Sequence, residues 1–168
     1  MDDVNGADRE QFTALFAGVY EHSPWVAVAV ADQRPFDSVD GLVRAMRAAV
    51  DSAGESEQLT LIRAHPDLAG KLAMSGELTD ASRSEQGGLG LDRLATDEFK
   101  LFQDFNSRYR EKFGFPFVIC VRLTDKAGIL EAFRRRLASD PETERLTALL
   151  EIHHIARLRV ADILKDQA

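Results

Sequence analysis

The sequence predicts an all-α fold: a single compact domain over residues 1–168, of about eight helices with one short extended segment. Three observations predict it. Apolar residues recur at helical spacing along almost the whole chain. Cap-forming Asp, Ser or Thr residues stand in front of most of these segments. One stretch, "FGFPFVICVR", lacks a helical period and reads as a buried extended segment or a short strand. No internal repeat, low-complexity run or linker divides the chain, and 168 residues suffice for one domain with a real core.

Taken in order, Phe12, Leu15, Phe16, Val19 and Tyr20 keep helical spacing behind Asp8 as N-cap. "SPWVAVAVA" alternates like a strand, but Ser23 as cap and Pro24 at the first helical position favour a helix. Ser38 opens a third helix with Leu42, Val43, Met46, Ala49 and Val50 on one face, ending near Gly54. A fourth, about 55–64, must stop at His65-Pro66, because the residue before proline is driven out of the helical region. Pro66 is then placed to start a short helix, "PDLAGKLAM". Thr79 caps a helix beginning "DASRSEQ", which the glycines of "GGLG" weaken. Residues 96–113 form a longer helix with Phe99, Phe102, Phe105 and Tyr109 as its buried side. Helices at 125–138 and 141–165 close the chain, the last capped by Asp140 with Pro141 behind it. The "RRR" at 134–136 reads as a solvated face.

Composition narrows the function. Hydrophobic residues make up 45% and charged residues 29%, which is ordinary for a globular chain and argues against long disorder. A net charge of −7 disfavours nucleic acid as partner, since phosphate binding needs a basic surface. A few local arginines can still bind a small anion. The single cysteine, Cys120, excludes an internal disulfide and fits a reducing compartment. Its apolar surroundings suit a buried structural thiol rather than a nucleophile. No apolar run approaches the roughly 20 residues of a membrane span. The polar start "MDDVNGADRE" is unlike a signal peptide, and the ending "KDQA" matches no sorting address. A cytoplasmic protein is the expectation.

Three polar features sit where a purely structural chain would not need them. Ile152, Ile155, Arg159 and Ile163 share one stripe of the last helix, so Arg159 must be paired or must line a cavity. Arg157 lies off that stripe and should be solvated. Ser82, Glu85 and Gln86, at i, i+3 and i+4, put a hydroxyl, a carboxylate and an amide on one helix face. Ser-x-x-Glu is also the capping-box pattern, although Thr79 competes for that role. His65 stands on the rigid joint that Pro66 creates, with an unperturbed pKa near 6.5 that suits proton transfer at neutral pH. On the residues alone a salt bridge, a cap and a punctuated helix remain open for the three.

A metal centre is disfavoured. His22, His65, His153 and His154 show no His-x-x-x-His spacing, and adjacent helical histidines point about 100° apart. No nucleophile elbow, phosphate-binding loop or dinucleotide fingerprint is present.

"HPDLAGK", "LTDASRSEQGGLGLDRL", "FNSRYREKFGFPFVICVR" and "IARLRVADIL", in that order and with "SPWVA" before them, resemble the successive signatures of the 2-oxo-4-hydroxy-4-carboxy-5-ureidoimidazoline (OHCU) decarboxylases. These act last in the route from urate to allantoin. The likeness spans residues 10–164, and the glycine-rich "GGLG" departs from it, where more alanine is expected. It implies an all-α homodimer acting on a small ureidoimidazoline without metal or organic cofactor. It places His65, Glu85 and Arg159 as catalytic residues. Pro66, Ser82, Gln86 and the main chain of Phe117, Val118 and Ile119 become the substrate-binding groups. With the resemblance added, site is favoured over cap for Ser82 and Glu85, and site over salt bridge for Arg159. Two other classes remain to be separated from it: a helical binding module that keeps the pocket without turnover, and an unrelated metal-dependent hydrolase.

Overall fold

The computed structural model describes residues 1–69 and 78–166, and these form helices joined by short turns with no strand among them. The helices are α1 (Asp2–Gly6), α2 (Arg9–Phe16), α3 (Trp25–Val30), α4 (Val39–Asp51), α5 (Glu55–Arg63), α6 (Asp80–Gly88), α7 (Thr96–Phe113), α8 (Lys126–Arg136) and α9 (Pro141–Asp166). Single 3-10 turns lie at Ala31–Gln33 and Val121–Leu123. Contacts gather the chain into two compact units. One is Met1–Ala64 with the chain from His153 onward, the other His65–Ile152.

Capping chemistry sets most helix starts. The Asp8 carboxylate accepts from the Gln11 N–H at 2.8 Å while the Gln11 side chain accepts from the Asp8 N–H, closing a capping box. Ser38, Thr79, Asp125 and Asp140 accept from the N–H three residues on, in Gly41, Ser82, Gly128 and Thr143. Because Thr79 caps α6, Ser82 and Glu85 are interior residues of that helix and form no capping box. α7 ends at Gly114 in the left-handed conformation that glycine adopts without strain.

Several expectations need correction. α2 stops at Phe16, so Val19 and Tyr20 are buried from the following turn rather than from the helix. No side chain caps α3: Ser23 contributes only its carbonyl, to Val26. Phe99 is half-buried, and the inner face of α7 is instead Phe102, Phe105, Asn106, Tyr109 and Phe113. Pro66 starts no helix: Pro66 to Ala69 is turn and coil, and Ala69 takes a positive φ of 50°. The rest of that expected helix lies outside the described residues. Arg134 and Arg135 are exposed as expected, but Arg136 is buried.

In the first unit α3 packs on α4 and α2, over a core that includes Phe12, Phe16, Val30, Leu42, Met46 and Val50. The second unit is built round an aromatic cluster. Phe117 stacks on Phe133 with centroids 3.7 Å apart, Phe105 stacks on the same ring, and Tyr109 meets Phe117 edge-on. Rings from α7, α8 and the extended segment thus share one core, and burial of this aromatic area is what holds a strand-like stretch in place without a sheet.

Candidate active site

His65, Pro66, Ser82, Glu85, Gln86, Phe117, Val118 and Ile119 all belong to the second unit, and Arg159 to the first. His65, Ser82, Gln86, Phe117 and Val118 are buried, while Glu85 and Ile119 are half-buried. Burial of polar side chains such as His65, Ser82 and Gln86 is costly unless each has a purpose.

The joint carrying His65 is fixed by four side chains. α5 ends at Arg63, and the chain turns through His65 into Pro66–Ala69. Asp67 takes the Arg110 guanidinium at 2.8 and 3.0 Å. The Leu68 carbonyl accepts from the buried Asn106 amide at 2.8 Å. The Ala69 N–H donates to Gln86 Oε1, and the Ala69 carbonyl accepts from Gln103, each at 3.0 Å. Gln103, Asn106 and Arg110 lie at i, i+3 and i+7 on α7, so one helix face laces the whole loop. These bonds occupy the main-chain groups that a helix from Pro66 would have used. They also hold Ala69 in a left-handed conformation that a non-glycine residue adopts only at a cost. Gln86, singled out in the sequence as a site residue, therefore has a structural task at the His65 loop as well.

α6 lies against the 3-10 turn that ends the extended segment. Burial pushes the Cys120 thiol up to about 11, and the carboxylates of Glu151 and Glu85 push it the same way. Glu85 thus lies near enough to Cys120, where the extended segment ends, for its charge to be felt there. Cys120 itself is buried and protonated, as the sequence leads one to expect.

The extended segment is gripped from α8 and α9. The buried Arg136 guanidinium donates to the Val118 carbonyl at 2.7 Å and lies 4.3 Å from the Phe117 ring centroid. It is neutralised by Glu144, which accepts from Arg136 Nε at 2.7 Å and also from the Tyr109 hydroxyl. Further on, Glu151 accepts from the Cys120 N–H at 2.9 Å.

Arg159 is buried in the first unit. Its Nη1 donates to the buried Glu21 carboxylate at 2.8 Å and to the Gly18 carbonyl at 3.3 Å. The salt bridge left open by the sequence is therefore present. No group of three or more His, Cys, Asp or Glu side chains that could hold a metal ion exists among the described residues.

Sequence reasoning missed Glu21, Gln103, Asn106, Arg110, Arg136, Glu144 and Glu151. A signal existed for some of them. Arg136 continues the stripe Ile129, Ala132, Phe133 exactly as far along α8 as Arg159 continues its own apolar stripe on α9, and Glu144 sits one helical step before Ala148 and Ile152.

Comparison with known proteins adds an independent line. A sequence profile of the OHCU decarboxylase family matches residues 5–161. The chain is 45% identical over 162 residues to the 2-oxo-4-hydroxy-4-carboxy-5-ureidoimidazoline decarboxylase of Haloferax volcanii, across 96% of this chain and 94% of that one. It is 42% identical over 164 residues to the protein of the same name from Mus musculus, across 98% and 92%. A crystal structure of (S)-allantoin synthase matches its backbone with a TM-score of 0.78 and 28% identity over 96% of this chain and 53% of that chain. Similarity at this level, over nearly the full length of both curated relatives, leaves no large part of the fold outside the match.

Proposed function

The chain belongs to the OHCU decarboxylase family, and from that membership we infer that it decarboxylates 2-oxo-4-hydroxy-4-carboxy-5-ureidoimidazoline in urate degradation. The product is (S)-allantoin, which makes the enzyme a carbon–carbon lyase. The observation that carries the reading at residue level is the His65 joint. A buried imidazole stands on a loop held by four side chains, through the Asp67 carboxylate and the main chain of Leu68 and Ala69. That is the pre-organisation a proton-transfer group needs.

The chemistry asks for little else. The carbon–carboxylate bond breaks, carbon dioxide leaves, and the bonding electron pair delocalises into the conjugated imidazoline ring. The hydroxyl on that carbon gives up its proton as the carbon becomes the ring carbonyl, and the neighbouring carbon that bears the ureido group is protonated on one face. The ring is its own electron sink, so no organic cofactor or metal is needed. His65 exchanges a proton with the substrate hydroxyl or the reacting carbon, help worth roughly a hundred- to ten-thousand-fold in rate. Glu85 and Gln86 orient ring and ureido nitrogens, with Ser82 and Pro66 shaping the same wall. The main chain of Phe117, Val118 and Ile119 supplies neutral donors and acceptors. Arg159 is assigned a carboxylate or carbonyl oxygen of the substrate, where developing charge is stabilised by a fork-shaped cation. The single-domain organisation, a homodimeric state and a cytoplasmic location are part of the same reading. None of the described helices is long and apolar enough to cross a membrane.

The test is circular dichroism during turnover, with the unstable substrate generated in place from urate by the two preceding enzymes. Rapid growth of a lasting (S)-allantoin signal, abolished in His65→Ala with the fold unchanged, is the expected result. A trace identical to spontaneous decay, with ligand still bound, would instead establish a binding module without turnover. Activity lost on chelation would point to a metal-dependent reaction.

A further inference from the structure

We infer that Arg136 and Glu151 are positioning residues: they clamp the two peptide groups that flank Ile119 and so aim the Ile119 N–H and carbonyl at the substrate. This rests on the reading that the Phe117–Ile119 main chain meets the substrate.

The geometry follows from the planar trans peptide. Its carbonyl and N–H point to opposite sides, so fixing one aims the other. Arg136 holds the Val118 carbonyl at 2.7 Å, which turns the Ile119 N–H away from the guanidinium. Glu151 holds the Cys120 N–H at 2.9 Å, which turns the Ile119 carbonyl away from that carboxylate. Neither peptide is cis. Ile119 thereby gains one aimed donor and one aimed acceptor. Among the described residues none forms a hydrogen bond with either group. A neighbouring donor and acceptor suit a group that carries both, such as the lactam edge or the ureido amide of the substrate, and discriminate against one that carries only acceptors.

Such aim requires rigid clamps, and the Arg136 clamp is built as one. Arg136 ends α8 and Glu144 lies in the first turn of α9, so each charge sits at the helix end that favours it. The pair is fully buried, at 2.6 Å. Arg136 Nη2 also donates to the Tyr109 hydroxyl at 3.3 Å, and that hydroxyl in turn donates to Glu144. Stability alone does not account for this arrangement. A buried ion pair adds little over well-packed apolar side chains, whereas an aimed main-chain carbonyl needs a fixed donor.

The experiment measures kcat and KM for the intact enzyme and four variants, with (S)-allantoin binding by titration calorimetry as a second readout. Arg136→Met is combined with Glu144→Gln, which removes the clamp without stranding a buried charge and still supplies the Tyr109 hydroxyl with an acceptor. Glu151→Leu removes the second clamp, and Glu151→Gln retains an acceptor for the Cys120 N–H. Ile129→Val, which trims a buried side chain of α8 and leaves both clamp residues in place, is the control for packing. Removing either clamp raises KM about tenfold and weakens (S)-allantoin to match, with a smaller change in kcat. Glu151→Gln stays within about twofold of wild type, because the amide oxygen still accepts from the Cys120 N–H and the carboxylate charge is not what the clamp needs. Folded clamp variants with wild-type KM and wild-type (S)-allantoin affinity would overturn the inference alone. A wild-type protein that neither exceeds spontaneous decay nor binds (S)-allantoin would overturn the decarboxylase reading, and the inference with it.

Discussion

Glu21 and Arg159 are 138 residues apart in sequence and form a buried ion pair at 2.8 Å, with side chains 2% and 6% exposed. Glu21 comes from the turn between α2 and α3, just ahead of "SPWVA", and Arg159 from the apolar stripe of α9. The carboxylate gives the guanidinium a fixed orientation, which an anion-binding role requires. Arg159→Lys keeps the charge but loses the fork, and kcat/KM is expected to fall at least about a hundredfold while the protein stays folded. Glu21→Ala leaves a buried cation without its carboxylate and is expected to cost about 3–5 kcal/mol in urea unfolding. Near-normal kinetics in Arg159→Lys would remove Arg159 from the site and leave it a structural ion pair.

Asn106 differs from its neighbours on the lacing face of α7. It is buried and its bond to the Leu68 carbonyl is 2.8 Å, whereas the Arg110–Asp67 pair is partly exposed, with side chains 46% and 27% accessible. Asn106→Leu is expected to cost about 1–3 kcal/mol, because a buried carbonyl loses its donor. Its kcat should fall more than its KM changes, since the loop that carries His65 is loosened while the other binding groups remain. Arg110→Ala is expected to cost no more than about 1 kcal/mol. Equilibrium unfolding and steady-state kinetics of the two variants check both statements. Equal effects would mean that the loop is held by its shape rather than by the Asn106 bond.

The helices were legible because their caps and apolar spacing are local. Asp8, Ser38, Thr79, Asp125 and Asp140 each act within three residues, and each start is visible in the sequence alone. The expected site residues were marked by polarity on apolar faces and by resemblance to a family. What the sequence hides is pairing between distant residues. Nothing near Asn106 announces that it meets Leu68, 38 residues away. The "RRR" run reads as uniformly solvated because charge is usually exposed, yet the helical period places one of the three against Phe117 and Glu144. Pro66 failed as a helix start for a related reason: side chains from α6 and α7 compete for the same main-chain groups.

His153 gives the first unit a definite response to acid. Its Nδ1 lies 3.1 Å from the Tyr20 hydroxyl and its Nε2 3.1 Å from Asp51. Burial lowers its pKa, with Arg47 and His154 acting in the same direction, and this outweighs the opposing hydrogen bond and charge of Asp51. The unfolded chain therefore binds the proton more readily than the folded one. Stability from neutral His153 is complete above the unfolded value of about 6.5 and is lost progressively as the pH falls below it, towards the depressed folded value. Melting temperatures measured between about pH 7.5 and 5.5 should fall in the wild type and fall less in His153→Gln. Parallel curves for the two proteins would show that other groups carry the acid response.

Cys120 offers a chemical probe of the extended segment. Its thiol is 2% exposed and is raised to about 11, first by burial and then by the carboxylates of Glu151 and Glu85. The thiolate is the reactive form, so little of it exists at neutral pH in the folded protein. A disulfide reagent at about pH 8, below the folded value but close to the ordinary thiol value of about 8.5, should label the denatured chain rapidly and the native one slowly. The Glu151→Leu variant removes both a charge that raises the thiol and the bond that holds the Cys120 N–H, so its native labelling should quicken. Native labelling as fast as in the denatured chain would show that the segment between Phe115 and Cys120 opens readily, and a main chain that mobile would hold no substrate.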